Sequence, residues 1–229
     1  MSTTNKKAYI YKMKLVPANI FAIVIFIILL IGTLFLNRNV LQSSENFILF
    51  FIAMILYMCL HELLHGVGFY LGGTKRQNIR YGICLEKGIF YCMAYQEISK
   101  KNILISLQMP FVVIGVITYI IGIIFNLPLL VLLSLINLTG AAMDVAMFIY
   151  LLKLPKDITY SESSEPDEFV LISKEDLTKF KSIFFEIEKV KDYKKEDYIF
   201  EKTKKVKITK ASIIILLVFI VLGILMELI

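Results

Sequence analysis

The sequence predicts an all-α polytopic membrane protein with about five transmembrane helices, a cytoplasmic β-hairpin loop and a short cytoplasmic amphipathic helix. Of the 229 residues, 58% are hydrophobic and 19% are charged, and the mean hydropathy is +0.74. A typical globular chain is about 45–50% apolar and about 25% charged. The apolar residues form long runs that alternate with lysine-rich stretches. This composition excludes a disordered chain, a collagen-like repeat and a disulfide scaffold.

Five apolar runs are long enough to cross about 30 Å of hydrocarbon at about 1.5 Å per residue. They lie near residues 16–36, 47–71, 103–125, 127–152 and 211–228. These runs divide the chain into an N-terminal segment (1–15), a four-span core (16–153), a polar segment (154–210) and a fifth span (211–229). The first run is predicted to be an uncleaved anchor, because it is too long for a signal peptide and no small-residue cleavage site follows it. In the third run, Gln108 and Pro110 predict a kinked or interrupted entry.

The basic residues predict the orientation of the spans. Of 25 lysines and arginines, four precede the first span, six lie in the loop 72–102 and fourteen lie in 153–210. Only Arg38 falls on the other side. The positive-inside rule therefore predicts a cytoplasmic N-terminus, loop 72–102 and segment 153–210, with the C-terminus outside. The net charge of +6 follows from this asymmetry, which favours anionic lipid headgroups and gives no reason to expect a nucleic-acid partner.

Ionisable side chains inside the hydrocarbon are costly and usually mark a functional site. Away from the ends of the predicted spans there are four: His61, Glu62, His65 and Asp144. The first three form an H-E-x-x-H pattern, whose histidines lie on one helix face and can both reach one tetrahedral zinc ion. Glu62 lies beside them as the candidate general base, close enough to take a proton from water. The alternative is a pair of core histidines bonded to neighbouring helices, with Glu62 as their partner.

A catalytic zinc site needs a third protein ligand, and Asp144 is the candidate. Counted from the cytoplasmic ends of the second and fourth predicted spans, His65 and His61 lie about 9 and 15 Å deep and Asp144 about 12 Å deep. The shared depth predicts that the three side chains meet. The alternative for Asp144 is a carboxylate bonded to a serine or threonine of a neighbouring helix.

An H-E-x-x-H in one span with an aspartate in a later span resembles the site-2 protease class of intramembrane zinc metalloproteases. The sequence is also similar, over about residues 47–172, to a family of small bacterial membrane proteins of the zincin peptidase type. The matching segments are 61–66 (HELLHG), 72–75 (GGTK), 108–111 (QMPF), 137–144 (NLTGAAMD) and 155–157 (PKD). The resemblance implies a zinc metalloprotease in a bacterial plasma membrane that acts on a membrane protein or peptide.

Two departures from the site-2 protease pattern concern the segment around Asp144. The usual Leu-Asp-Gly is here Met143-Asp144-Val145, and the prolines expected between Asn137 and Asp144 are missing. Two interpretations of Asn137 stay open. It either positions the substrate or polarises the scissile carbonyl, or it makes a plain hydrogen bond between helices.

The loop 72–102 predicts a β-hairpin, with strands at 78–85 and 89–95 and a turn at 86–88. The hairpin either offers an edge strand to an extended substrate segment or caps the metal site against lipid. Cys84 and Cys92 lie in its two arms and are predicted to be free thiols in a reducing cytoplasm.

In the segment 154–210, Ser173 is predicted to begin an amphipathic helix through a capping box. Its apolar face would comprise Leu177, Phe180, Ile183, Phe184, Ile187 and Val190. This helix would lie on the membrane surface, cover the mouth of the site, or pack as a small cytosolic element.

Together these features predict a membrane-embedded zinc metallopeptidase, with Zn²⁺ held by His61, His65 and Asp144 and Glu62 as general base. Two alternatives remain. One is a catalytically silent zinc-binding membrane regulator or metal sensor. The other is a metal transporter, which the sequence favours less because its polar residues cluster at one depth and are not staged along a path.

Overall fold

The computed structural model describes residues 7–36, 47–84, 89–163 and 168–190. The helices are α1 (Leu15–Leu36), α2 (Phe47–Leu71), α3 (Lys100–Pro110), α4 (Thr118–Ile124), α5 (Pro128–Gly140) and α6 (Ala142–Lys153). The strands are β1 (Lys7–Met13), β2 (Ile79–Cys84), β3 (Ile89–Ala94), β4 (Ile98–Ser99), β5 (Thr159–Glu162), β6 (Glu168–Ser173) and β7 (Phe185–Val190). The predicted fifth span and the predicted turn 86–88 lie outside the described residues.

Three helical stretches among the described residues are long and apolar enough to cross a membrane, namely Leu15–Leu36, Ile48–Leu71 and Lys100–Ile124. They make the chain compatible with membrane association. In α1, only Ala18 and Thr33 are buried, and most of its apolar side chains are exposed or half-exposed.

The predicted fourth span is broken into two helices. α5 and α6 pass the same test only as a pair, bent by 45° at a break of one residue. The break falls at Ala141, after Gly140, which has a low intrinsic preference for helix. The bend therefore lies between Asn137 on α5 and Asp144 on α6, which are seven positions apart in the chain.

The interruption expected in the third span is present as a change of helix type. A π-helical segment, Phe111–Ile117, follows Pro110 and joins α3 to α4. Proline has no backbone N–H to donate within the helix, so it disrupts the regular hydrogen-bond ladder at this point. π-Helical turns of this kind are frequent at functional sites.

The prediction of an all-α protein is wrong, because a five-stranded antiparallel sheet is present. Its strand order is β4-β5-β6-β1-β7. The N-terminal strand β1 lies inside the sheet between β6 and β7, where Tyr9 is opposite Leu171 of β6 on one side and Lys189 of β7 on the other. Short runs of aromatic and aliphatic residues supply these strands. β5 and β6 are close in the chain and pair with each other, whereas β1 and β4 find their hydrogen-bond partners in distant parts of the chain.

The prediction of an amphipathic helix from Ser173 is also wrong. Leu177–Lys179 is a single 3₁₀ turn and Phe185–Val190 is strand β7. The Ser173 hydroxyl accepts the Glu175 N–H at 3.0 Å and begins no helix. From Phe185 to Glu188 apolar and charged residues alternate, with Phe185 buried and Glu186 exposed, and this period of two overrides the helical spacing of the longer segment.

The predicted β-hairpin is confirmed. β2 and β3 pair antiparallel, with Ile79 opposite Ala94 and Cys84 opposite Ile89. Cys92 is free of a disulfide, as predicted.

One hydrophobic core joins the sheet to the ends of the helices. Tyr11 of β1 is fully buried and stacks on Phe169 at 5.1 Å between ring centroids. The ring of Tyr150 on α6 lies 5.8 Å from that of Tyr11, and its hydroxyl donates to the Phe180 carbonyl at 2.7 Å. Strands from the N-terminal segment, from the loop 72–102 and from the segment after α6 thus meet in one sheet, at one end of the helices.

Candidate metal centre

Three of the four ionisable residues that the sequence singled out meet at one point. His61 and His65 lie one turn apart on α2, and Asp144 lies in the first turn of α6. The Nε2 atoms of the two histidines are 3.1 Å apart. Asp144 Oδ2 lies 3.3 Å from His61 Nε2 and 3.4 Å from His65 Nε2. The three donor atoms therefore form a nearly equilateral triangle.

The outer nitrogens of both histidines face oxygen acceptors. His61 Nδ1 lies 2.8 Å from Asn137 Oδ1, and His65 Nδ1 lies 3.0 Å from the Ser106 carbonyl oxygen. The Asn137 amide is oriented by its own Nδ2, which donates to the Pro110 carbonyl at 3.2 Å. In a neutral imidazole, an acceptor at Nδ1 places the proton there and leaves Nε2 with a free lone pair. The Nε2 lone pairs of His61 and His65 and the Oδ2 atom of Asp144 are therefore available to bind one ion between them.

This donor set fits a zinc ion. Zinc binds imidazole nitrogen and carboxylate oxygen at about 2.0–2.2 Å, and in a tetrahedral site the ligand atoms are then about 3.3–3.6 Å apart. The observed separations of 3.1–3.4 Å are close to these values. Hydrogen bonds from the second ring nitrogen to carbonyl oxygens are also usual for metal-bound histidines. His61, His65 and Asp144 are the group of side chains in the described residues that could hold a metal ion.

Close packing of α2 on α3 brings the Ser106 carbonyl to His65. Gly68 lies against the backbone of Ser106, and a Cβ atom at Gly68 would clash with it. One turn later Gly72 lies against Asn102 in the same way. The spacing Gly68-x-x-x-Gly72 is that of the small residues that let two helix backbones approach closely in membranes. Ser106 returns a second bond, because its hydroxyl donates to the His65 carbonyl at 2.9 Å.

The Asn137 side chain lies beside the candidate metal centre and makes two hydrogen bonds there. Its oxygen faces His61 and its nitrogen bonds the chain at Pro110. It therefore joins α5 to α2 and to the end of α3, so the interpretation as a bond between helices holds. The sequence could not identify the equivalent group for His65, because that acceptor is a backbone carbonyl and every residue has one.

Glu62 lies on the side of α2 that faces the hairpin. Its carboxylate accepts the backbone N–H of Cys92 on β3. Glu62 and His61 also line a cavity of about 320 Å³. Burial raises the pKa of the Cys92 thiol, so this side chain stays neutral and is not a thiolate ligand.

A second carboxylate, Glu162 of β5, lies near the centre and was not singled out by the sequence analysis. It accepts the Tyr160 hydroxyl at 2.8 Å and the backbone N–H of Ala94. Burial raises the pKa of Glu162 to about 7, against the opposing effect of these two hydrogen bonds. An isolated glutamate in a polar stretch carries no motif, so only the fold could have revealed its position.

Residues 54–159 match the model of a protein family described as "Putative zincin peptidase". The matched range contains all three candidate ligands and Glu62. No curated protein and no solved structure matches the chain. The match supports a zincin-like peptidase family for residues 54–159 and, with the cluster of His61, His65 and Asp144, supports zinc as the metal.

Proposed function

We propose that this protein is a membrane-embedded zinc metallopeptidase of the site-2 protease type, which hydrolyses peptide bonds of a membrane-associated protein. His61, His65 and Asp144 are the proposed metal ligands and Glu62 is the proposed general base. The observation that carries the proposal is the triangle of donor atoms with edges of 3.1–3.4 Å, in which both histidines present Nε2. A core histidine pair would not need a carboxylate at equal distance from both rings.

Zinc held by these ligands would lower the pKa of a water molecule and polarise the substrate carbonyl. Glu62 accepts the proton of the attacking water as the water oxygen bonds to the carbonyl carbon. The same carboxylic acid then donates that proton to the nitrogen of the scissile bond, and the carbon–nitrogen bond breaks. The Cys92 N–H orients the Glu62 carboxylate for both transfers.

Strand β3 is the proposed binding site for the substrate backbone. Its one edge pairs with β2, and the N–H groups of Cys92 and Ala94 point the other way, to Glu62 and Glu162. An extended substrate segment would add to this edge by β-augmentation, through backbone groups other than these two N–H groups, and so place a peptide bond beside Glu62. If the hairpin is only a cap against lipid, substitutions along this edge will change the stability of the protein and leave substrate affinity unchanged.

The proposed location is a bacterial plasma membrane, with the sheet on the cytoplasmic side. Two observations support it. Three helical stretches are long and apolar enough to span, and the segments that carry nearly all the basic residues meet in one sheet.

Substitution of Glu62 tests the proposed chemistry. The full-length protein and its Glu62→Gln variant, each loaded with zinc in lipid nanodiscs, are added to bacterial membrane vesicles, and new N-termini are identified by mass spectrometry. We expect new N-termini with the wild type only. The variant should keep its zinc and lose at least about 100-fold in cleavage rate, because general-base catalysis contributes about that much. Glu186→Gln, at an exposed position of β7, is the matched control and should cleave normally.

Equal cleavage by wild type and Glu62→Gln would contradict the proposed chemistry. The silent regulator makes the opposite prediction in cells. Glu62→Gln would then behave as wild type, whereas His61→Ala would not. Uptake of radioactive zinc into vesicles would indicate the transporter.

A further inference from the structure

The cavity beside Glu62 extends from the candidate metal centre toward the N-terminal half of α2. Its walls are mostly apolar and come from α2, α5 and β3. They comprise Met54, Met58, Phe90, Leu133 and Ile136. Glu62, His61 and Asn137 lie at its polar end. A group that fills the cavity therefore lies directly beside the proposed reacting atoms.

Apart from Glu62, which the proposed chemistry uses, the polar side chains that line the cavity are already bonded within the described chain. The Tyr57 hydroxyl donates to the Ile114 carbonyl at 3.0 Å and lies 2.6 Å from the Thr118 hydroxyl. The Asn137 amide bonds His61 and the Pro110 carbonyl. A polar substrate side chain entering here would lose its hydration and would compete with bonds that already exist, which is unfavourable. The cavity therefore selects an apolar group.

The cavity is large enough for at least one large apolar side chain. A volume of about 320 Å³ corresponds to about ten water molecules at about 30 Å³ each. A helix, with a diameter of about 10–12 Å, does not fit into this space. Two of the five apolar wall residues are methionines, whose flexible thioethers adapt to differently shaped partners. Leucine, methionine and phenylalanine side chains are therefore all suitable.

We infer that this cavity is the specificity pocket of the peptidase and binds a large apolar side chain of a residue next to the scissile bond. This inference rests on the proposed function, and it adds which peptide bonds are cut. The substrate class is a membrane-associated segment with leucine, methionine or phenylalanine at one position beside the cleaved bond, where a small or charged residue is excluded.

Gly140, the last residue of α5, provides a direct test. It lines the cavity, and a Cβ atom added there would meet no other atom within 4 Å. Its backbone is outside the left-handed region, so a larger side chain is tolerated. Gly140→Leu therefore adds a side chain at the wall of the pocket with no clash at its Cβ atom, and we expect it to narrow the pocket. Gly32 of α1 also has open space around its Cβ position and does not line the cavity, so Gly32→Leu is the matched control.

The first measurement is cleavage of a synthetic peptide library by the zinc-loaded full-length protein, with the cut sites identified by mass spectrometry. We expect a preference of at least about tenfold for leucine, methionine or phenylalanine over alanine at one position beside the cut. Gly140→Leu should shift this preference to alanine and glycine, and Gly32→Leu should keep the wild-type preference. An unchanged set of cut sites in Gly140→Leu overturns the inference, because the cavity then does not contact the substrate.

The second measurement needs no catalysis. Two hydroxamates, one with a benzyl group and one with a methyl group on the carbon next to the zinc-binding group, are titrated into the zinc-loaded protein. We expect at least about tenfold tighter binding of the benzyl compound, lost in Gly140→Leu and kept in Gly32→Leu. Equal binding of the two compounds, or binding of neither, overturns the inference. This result is expected if a lipid acyl chain occupies the cavity in place of a substrate side chain. A benzyl preference without peptide cleavage contradicts the proposed function and supports the pocket assignment. Peptide cleavage without any side-chain preference supports the proposed function and contradicts the pocket assignment.

Discussion

At the scale of single residues, the two histidines are held by acceptors of different kinds. His61 depends on a side chain, the Asn137 amide, and His65 depends on a backbone carbonyl, that of Ser106. Both bonds fix the ring that carries the candidate ligand atom. Only the bond to the Asn137 side chain can be removed by a point substitution. We therefore expect different effects from substitutions at Asn137 and at Ser106.

Asn137→Ala should lower zinc affinity by about 10–100-fold, because the acceptor that orients His61 is lost. Ser106→Ala should leave zinc affinity close to that of the wild type, since the carbonyl that faces His65 Nδ1 remains. Competition with a chromophoric chelator measures both affinities. Equal affinities for wild type and Asn137→Ala would show that this amide does not position a ligand.

The site residues that could be predicted are those whose side-chain type and spacing can be recognised in the sequence. His61 and His65 share a helix face at a spacing of four, and the depth of Asp144 followed from the number of residues to the end of its span. The structure brings all three together although the predicted fourth span is broken. The break at Ala141 lies before Asp144, so the number of residues between Asp144 and the end of α6 is unchanged. The carbonyl of Ser106 and the carboxylate of Glu162 carry no such pattern.

At the scale of elements, the centre depends on how closely α2 approaches α3. Gly68 and Gly72 allow this approach, and it puts the Ser106 carbonyl within 3.0 Å of His65 Nδ1. Glycine costs about 1 kcal/mol relative to alanine in a helix interior. Gly68, inside α2, therefore carries a cost that the packing offsets, whereas Gly72 directly follows the end of the helix.

Gly68→Ala should lower the free energy of unfolding by about 1–3 kcal/mol, because the added Cβ overpacks the contact between α2 and α3. Gly32→Ala, which introduces the same atom into open space on α1, should be neutral or slightly stabilising. Unfolding of both variants in mixed detergent micelles measures the difference. If the two variants unfold alike, the α2–α3 contact is looser than described.

The hairpin β2–β3 was predictable from the local sequence. The five-stranded sheet was not, although two of its strands, β5 and β6, are close in the chain. The hairpin β2–β3 follows from two apolar runs joined by a short turn. The five-stranded sheet requires Tyr9 and Leu171 to pair across most of the chain, and no local pattern specifies such a partner. The segment from Ser173 was interpreted as a helix because its apolar residues also fit a spacing of three and four, whereas the strand partner β1 decides its actual conformation.

At the scale of the whole molecule, the sheet fixes the helix that carries Asp144. β1 lies between β6 and β7, and its Tyr11 ring contacts Phe169, Phe185 and Tyr150. Tyr150 belongs to α6, less than two turns after Asp144. The N-terminal residues of the chain therefore stabilise the position of a candidate metal ligand far away in sequence.

Tyr11→Ala should destabilise the sheet by about 3–5 kcal/mol, as expected when a fully buried aromatic side chain is removed. Trypsin should then cleave faster after lysines in the segment 174–189. Lys12→Ala is the neighbouring control. It removes an ion pair with Glu168 whose lysine side chain is 58% exposed, and such pairs contribute about 0–1 kcal/mol. Equal rates of trypsin cleavage in the two variants would contradict the central role of β1.

Metal content is the most direct test of a zinc centre at His61, His65 and Asp144. Zinc bound to the purified full-length protein is measured by mass spectrometry for the wild type, His65→Ala, Asp144→Asn and Glu62→Gln. We predict one zinc ion per chain in the wild type and in Glu62→Gln, and loss of most of the zinc from His65→Ala and Asp144→Asn. Full zinc occupancy in Asp144→Asn, or a wild-type chain that takes up no zinc, would contradict the account.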